Sequence, residues 1–162
     1  MAKLIESLKN DSEKDIYRRI GKFCAYRERA EYEVEVKLKS LDVSEELIFK
    51  LIDLLKRDKF LNNKRFARFY AQGKFLNNKW GKLKIKANLK EKRIEYDYIE
   101  FALARISEED YIEMINLLIE KKAKMLKNNN LFIFRKKIVD SIRIKGYEAG
   151  IVWDLVKMKF PD

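Results

Sequence analysis

A chain of 162 residues with a net charge of +11, one proline and five glycines has too few breakers for a turn-rich β fold, and its charge calls for an acidic partner. With no histidine and a single cysteine, Cys24, it excludes intrachain disulfides, Cys/His zinc sites, Ser-His-Asp triads and Cys-His dyads. No apolar run is long enough for a signal sequence or a membrane span, so a soluble, cytoplasmic chain without membrane contact is expected, with Cys24 as a small core residue.

From Glu13, apolar residues at Ile16, Ile20, Phe23 and Cys24 have helical spacing, and Arg27 to Arg29 put positive charge at the end of this first helix. The next stretch, EYEVEVKLKSL, alternates apolar and charged residues as a half-buried strand does, and KLKIKANL repeats the ambiguity. Internal comparison decides it. Residues 34–55 and 85–106 superimpose at an offset of 51, pairing Val34 with Ile85, Leu38 with Leu89, Val43 with Ile94 and Ile48 with Ile99. A third copy follows at a further offset of 53, with Ile138, Ile142, Tyr147 and Val152 in the same places. There Phe134, Ile138 and Ile142 stand at i, i+4 and i+8, so all three copies are read as helices with a narrow apolar stripe.

Each copy then turns and enters another helix near Ser44, Glu95 or Glu148, and each is preceded by one: Glu13 to Tyr26, Asn63 to Gln72, and Ser107 to Leu126. The fold class is therefore all-α, three tandem three-helix repeats stacked into an elongated, curved molecule. The expected division is an N-terminal extension at 1–12, then repeats at 13–58, 59–106 and 107–160. The hexapeptide KFLNNK occurs at 59–64 and again at 74–79 and reads as helix punctuation. Asn62 caps the entering helix with Leu61 and Phe66 as a hydrophobic staple, Gly73 ends that helix, and Asn77 and Asn78 offer a second cap.

Charge is unevenly spread. Residues 56–93 hold 14 basic and two acidic side chains, while residues 94–120 hold one basic and eight acidic. The candidate partner-binding or DNA-binding residues are Lys64, Arg65, Arg68, Lys74, Lys79, Trp80, Lys82, Lys84 and Lys86. A lysine-rich solvated face is the plainer reading of the same residues. Phe66, Phe69, Tyr70 and Trp80 offer stacking platforms, though the i, i+3, i+4 spacing of the first three is that of core. The acidic cluster Glu108, Glu109, Asp110 and Glu113 is explained by the dipole of the helix it begins, and the Gly-Lys pairs lack the spacing of a phosphate loop. No cofactor, metal or catalytic residue is expected.

The segments YRERAEYEVEVKLKSL, FLNNKRFARFYAQGKFLNNKWGKLKIKANLKEKRI and IVDSIRIKGYEAGIVWDLV together resemble the RecX regulatory proteins over residues 14–157. The resemblance is strongest in the middle repeat, in Phe66-Ala67, Gly81, Ile85, Leu89 and the basic turn ending at Ile94. It implies a non-enzymatic regulator that lies along the RecA recombinase filament and inhibits its ATPase, coprotease and strand-exchange activities, touching RecA and, through the basic repeat, single- or double-stranded DNA; a monomer is expected. A helical nucleic-acid-binding module without a recombinase partner is the alternative. Two positions depart from the family: Asn63 stands where an acidic residue is common, and Ala30 where a hydroxyl residue would cap the second helix.

Overall fold

The computed structural model describes Leu8, residues 10–127 and residues 130–161. The described residues form α-helices and no strand: α1 Asp11–Tyr26, α2 Glu31–Lys39, α3 Glu45–Arg57, α4 Asn63–Asn78, α5 Lys82–Glu91, α6 Tyr96–Leu103, α7 Glu108–Met125, α8 Leu131–Arg143 and α9 Ala149–Lys159. Most of the expected extension at 1–12 lies outside the described residues. Asn10 already caps α1, accepting from the Glu13 N–H at 2.8 Å.

The two ambiguous stretches are helices, and their burial shows why both patterns fit. In α2 only Val34 and Leu38 are buried, at i and i+4, while Val36, which a strand would bury with them, is 49 % exposed. In α5 Ile85 and Leu89 are fully buried and Leu83 is 51 % exposed. A helix this short needs only two apolar contacts on its inner face. The internal repeat extends to the turns. Asp42, Arg93 and Gly146, at the same offsets of 51 and 53, all take left-handed φ values of 54°, 55° and 91° after the second helix of each set. Such a residue ends a helix by redirecting the chain, a role open to glycine and tolerated by others at a small cost.

One expected boundary is wrong. Helix α4 does not stop at Gln72; it continues through Gly73 to Asn78 and ends at Lys79, which adopts φ 56° and ψ 42°. Phe66, Ala67, Ala71 and Phe75 form one buried stripe across the glycine. Burying a phenylalanine outweighs the roughly 1 kcal/mol that a mid-helix glycine costs. The two KFLNNK copies thus serve opposite ends of one helix. In the first, Asn62 accepts from the Arg65 N–H at 2.8 Å; the second forms the last turn, and α5 begins at Gly81 without a side-chain cap. Leu61 and Phe66 are both buried but in different cores, so they pin the entry from two sides and do not make a staple.

The apolar interior is divided in two, not three. Tyr17, Ile20, Cys24, Val34, Leu38, Leu51 and Leu55 belong to one cluster; the other runs without a break through α4–α9. Cys24 lies within the first, where burial pushes its thiol up to about 11. Among the described residues, Ala30 at the start of α2 belongs to the larger core, and Leu61, with half-buried Phe60 beside it, belongs to the smaller one. The accessible surface, 10338 Å², exceeds by about a fifth the roughly 8,500 Å² of a compact monomer of this mass, as stacked units should.

The sets of helices are joined by a repeated polar relay. Asn63, buried at the start of α4, accepts through Oδ1 from the Glu31 N–H at 2.9 Å and donates through Nδ2 to Glu95 Oε2 at 3.1 Å. It thereby supplies the cap that Ala30 cannot give to α2. Tyr111 of α7 does the same one set later: its hydroxyl accepts from the Lys82 N–H at 3.1 Å and donates to Glu148 Oε2 at 2.6 Å. In both cases the first N–H of one set's middle helix is tied, through a side chain of the next set's first helix, to the glutamate that begins that set's third helix.

Candidate functional site

The basic segment is carried by α4, the turn at Lys79–Gly81 and α5. Tyr70 and Trp80 are half-buried against the large core, leaving part of each ring open. Lys74 Nζ stands 4.9 Å from the Trp80 centroid and 5.4 Å from that of Tyr70; Lys84 Nζ is 4.6 Å from Trp80. Lys92 reaches the Tyr70 ring at 5.8 Å while pairing with Glu33 at 3.1 Å. Asn88 holds the two helices together, accepting from the Tyr70 hydroxyl at 3.4 Å and donating to the Lys84 carbonyl at 3.0 Å. Burial, with Glu33 and Glu91 nearby, raises the Tyr70 hydroxyl above its ordinary range, so it stays a donor. Each ammonium over a ring face contributes about 0.5–1 kcal/mol at such sites and holds positive charge beside an aromatic edge. That combination accepts an anionic group with an adjoining flat or apolar one.

The nine candidate residues do not share one face. Lys74, Trp80 and Lys84 meet in this cluster. Lys64 stands 4.4 Å from the Phe101 centroid, while Arg68, 4.6 Å from that of Phe69, lies along a groove of about 310 Å³ between α4 and α6 that is also lined by Leu76, Arg105 and Asp110. Arg65 is committed to Glu28 at 2.7 Å and to the Lys59 and Phe60 carbonyls. Lys79 approaches Met114 Sδ at 3.9 Å, and Lys82 lies 4.7 Å from the Tyr111 centroid. Lys86 pairs with Glu100 at 2.5 Å. Lys82, Lys84 and Lys86 scatter because positions two apart on a helix point about 200° apart; alternation gathers side chains only on a strand.

The aromatic residues also divide. Phe66 is core, as its spacing predicts, but Phe69 is 47 % exposed in the α4–α6 groove. Lys92 and Asn88 are the members of the cluster that sequence reasoning missed, and Tyr70 enters there only as a stacking platform with core spacing. The i, i+4, i+8 spacing of Lys84, Asn88 and Lys92 facing Tyr70 and Lys74 was the available signal. Of the acidic group at the start of α7, Asp110 is fixed by Ser107, whose hydroxyl donates to Asp110 Oδ2 at 2.7 Å and accepts from its N–H. Among the described residues no three Asp, Glu, Cys or His side chains are grouped to hold a metal ion, and no helix is long and apolar enough to cross a membrane.

Comparison with known proteins places this geometry. Residues 62–103, which carry α4 to α6, match the profile of the second three-helix domain of RecX. The regulatory protein RecX of Halalkalibacterium halodurans is 30 % identical over 131 residues, covering 80 % of this chain and 49 % of that protein. That of Bacillus cereus is 26 % identical over 145 residues, covering 90 % and 54 %. The chain thus spans about half the length of these curated relatives. The crystal structure of RecX from Lactobacillus salivarius superimposes with a TM-score of 0.83 at 28 % identity, covering 92 % of this chain and 96 % of that one. A second RecX crystal structure shares the fold, with a TM-score of 0.82 at 22 % identity. A helical repeat array with the second RecX domain at its centre, similar along most of its length to regulatory proteins of one kind, belongs to the RecX family.

Proposed function

We propose that this protein is a non-enzymatic regulator that binds RecA recombinase filaments and inhibits their ATPase, coprotease and strand-exchange activities during recombination and repair. The observation that carries the reading is the overlap of the RecX second-domain match, residues 62–103, with residues 56–93, the segment in which basic side chains outnumber acidic ones most strongly. In this reading the units are residues 13–58, 59–106 and 107–160, and the protein acts as a cytoplasmic monomer laid along the filament groove. Lys74, Trp80 and Lys84 face the filament or its DNA, since among the described residues these two lysines have no carboxylate partner.

The test is ATP hydrolysis by preformed RecA filaments on single-stranded DNA, followed as the protein is added. Substoichiometric protein should slow hydrolysis, and the Lys74→Glu/Lys84→Glu variant should lose much of that effect. No inhibition at saturating protein rejects the reading. The cation–aromatic cluster also favours a second one, a nucleic-acid-binding module without a recombinase partner, whose affinity falls steeply with salt. The same variant separates the two: the module must lose binding to free DNA, whereas the filament regulator can lose inhibition with free DNA binding unchanged.

A further inference from the structure

A second basic feature lies away from the Trp80 cluster, where the second and third helix sets meet. Lys79, Lys121, Lys122 and Lys145 line one cleft of about 240 Å³, floored by Leu118 and Ile142, and no carboxylate lines it. Elsewhere several cations are paired: Lys56 with Glu31, Arg57 with Asp53, Lys136 with Asp140. Among the described residues Lys121, Lys122 and Lys145 have no acidic partner, and Lys79 has only the Met114 sulfur. The acidic residues beside the cleft in sequence are engaged elsewhere, Glu120 with Lys159 and Asp140 with Lys136.

The backbone around the cleft is fixed. Gly81 N–H donates to the Lys145 carbonyl at 2.8 Å, and the Tyr147 hydroxyl to the Lys79 carbonyl at 3.3 Å, so two of the four lysines sit on segments bonded to each other's neighbourhood. Lys79 takes the left-handed conformation that glycine or asparagine adopts at lower cost. Its lysine therefore brings a cation to the cleft at the expense of a better helix terminus. The Ser141 hydroxyl is already given to the Ile138 carbonyl at 2.7 Å, which leaves ammonium groups as the cleft's donors.

We propose that this four-lysine cleft is a phosphate-binding site for a nucleic-acid backbone, separate from the Trp80 cluster and indifferent to base sequence. Point charges without an arginine fork, a base-reading amide or an exposed aromatic hold phosphodiesters and not base edges. The site stands independently of any recombinase, because it is defined by nucleic acid alone.

The experiment is fluorescence anisotropy of a labelled mixed-sequence single strand with the full chain across a salt series, without recombinase. Lys121→Gln/Lys122→Gln/Lys145→Gln should weaken binding at low salt at least tenfold and reduce the slope of log affinity against log salt by about 2, roughly 0.7 for each lost phosphate contact. Lys79→Asn, which suits the left-handed turn, should reduce the slope by about 0.7 with unchanged thermal stability. Lys37→Gln/Lys157→Gln, exposed and distant in sequence, is the charge control and should leave the slope within error. A triple variant that binds like the control overturns the proposal. So does a triple variant that keeps its DNA affinity but loses binding to polyglutamate, which would assign the cleft to an acidic protein segment.

Discussion

The two junctions between helix sets use one hydrogen-bonding scheme in opposite settings. At the first, Asn63 bridges Glu31 and Glu95 amid charge: Arg65 with Glu28, Lys92 with Glu33, Lys56 with Glu31 and Arg93 with Glu35. Glu28 Oε2 is even left buried without a partner. At the second, Tyr111 bridges Lys82 and Glu148 inside a column of rings, its centroid 6.1 Å from Phe75 and 5.1 Å from Tyr147. There the backbones also touch, Gly81 and Leu83 donating to Lys145 and Gly146. One junction is held by partly exposed ion pairs, whose net worth is small and depends on pH and salt; the other by packing, which does not. The molecule is best regarded as a two-set block, α4–α9, carrying a more separable set, α1–α3.

The largest effect should come from breaking the packed junction. A Cβ on Gly81 would lie 2.2 Å from the Gly146 carbonyl oxygen, and one on Gly146 would meet Lys84 Cβ at 2.3 Å. Both contacts are far inside van der Waals range, and the opposing backbone is met in both cases, at the Gly146 oxygen for Gly81 and at the Lys84 nitrogen, 2.5 Å away, for Gly146. Gly81→Ala is expected to cost about 3 kcal/mol, which for a chain of this size lowers the melting temperature by roughly 10 °C. Gly150→Ala, whose new Cβ meets nothing within 4 Å, is the control and should not lower it. Equal melting of the two variants in calorimetry would show that the second junction is not closely packed.

A smaller effect, of opposite character, belongs to the first junction. Burial raises the Glu33 carboxyl, but the Ala30 N–H, Lys92 and Arg27 outweigh it and leave its pKa below the ordinary value. A carboxylate so depressed adds stability above its unfolded pKa and loses it as pH falls through the folded one. Glu33→Gln should therefore cost about 1 kcal/mol at neutral pH, and the gap from the wild type should close as pH drops below about 4. Urea unfolding at several pH values measures it. A gap that persists in acid would mean that shape, and not charge, holds this junction.

Most of the fold was legible because repetition checked each local reading against two others. Val34, Ile85 and Ile138 are all fully buried at corresponding positions, and that agreement overrode the strand-like alternation of α2 and α5. The relay was not legible, because Asn63 and Tyr111 are unlike side chains in one role and their partners lie 29 to 37 residues away. Sequence identified Asn63 as a departure and Ala30 as a lost cap, without the fact that the first answers the second. The site was legible as a segment and not as a surface. Charge counting finds residues 56–93, but helical phase decides that Lys84 meets Trp80 while Lys86 turns to Glu100.

Helix α4 links the two junctions, with Asn63 in one at its first residue and Phe75 in the other. Its 16 residues extend about 24 Å, so strain at either end is transmitted through a continuous hydrogen-bonded rod. Gly73 is its weakest position, because a glycine releases more backbone freedom on unfolding than any other residue. The site is open: an added Cβ would meet only Asn77 Nδ2 at 4.0 Å. Gly73→Ala should thus stabilise by about 0.5–1 kcal/mol, raising the melting temperature by roughly 2 °C. If α4 couples the junctions, hydrogen exchange should slow together at the Glu31 and Lys82 amides, one in each relay. Slowing at one alone would mean that the junctions open independently and that Gly73 is a hinge between them.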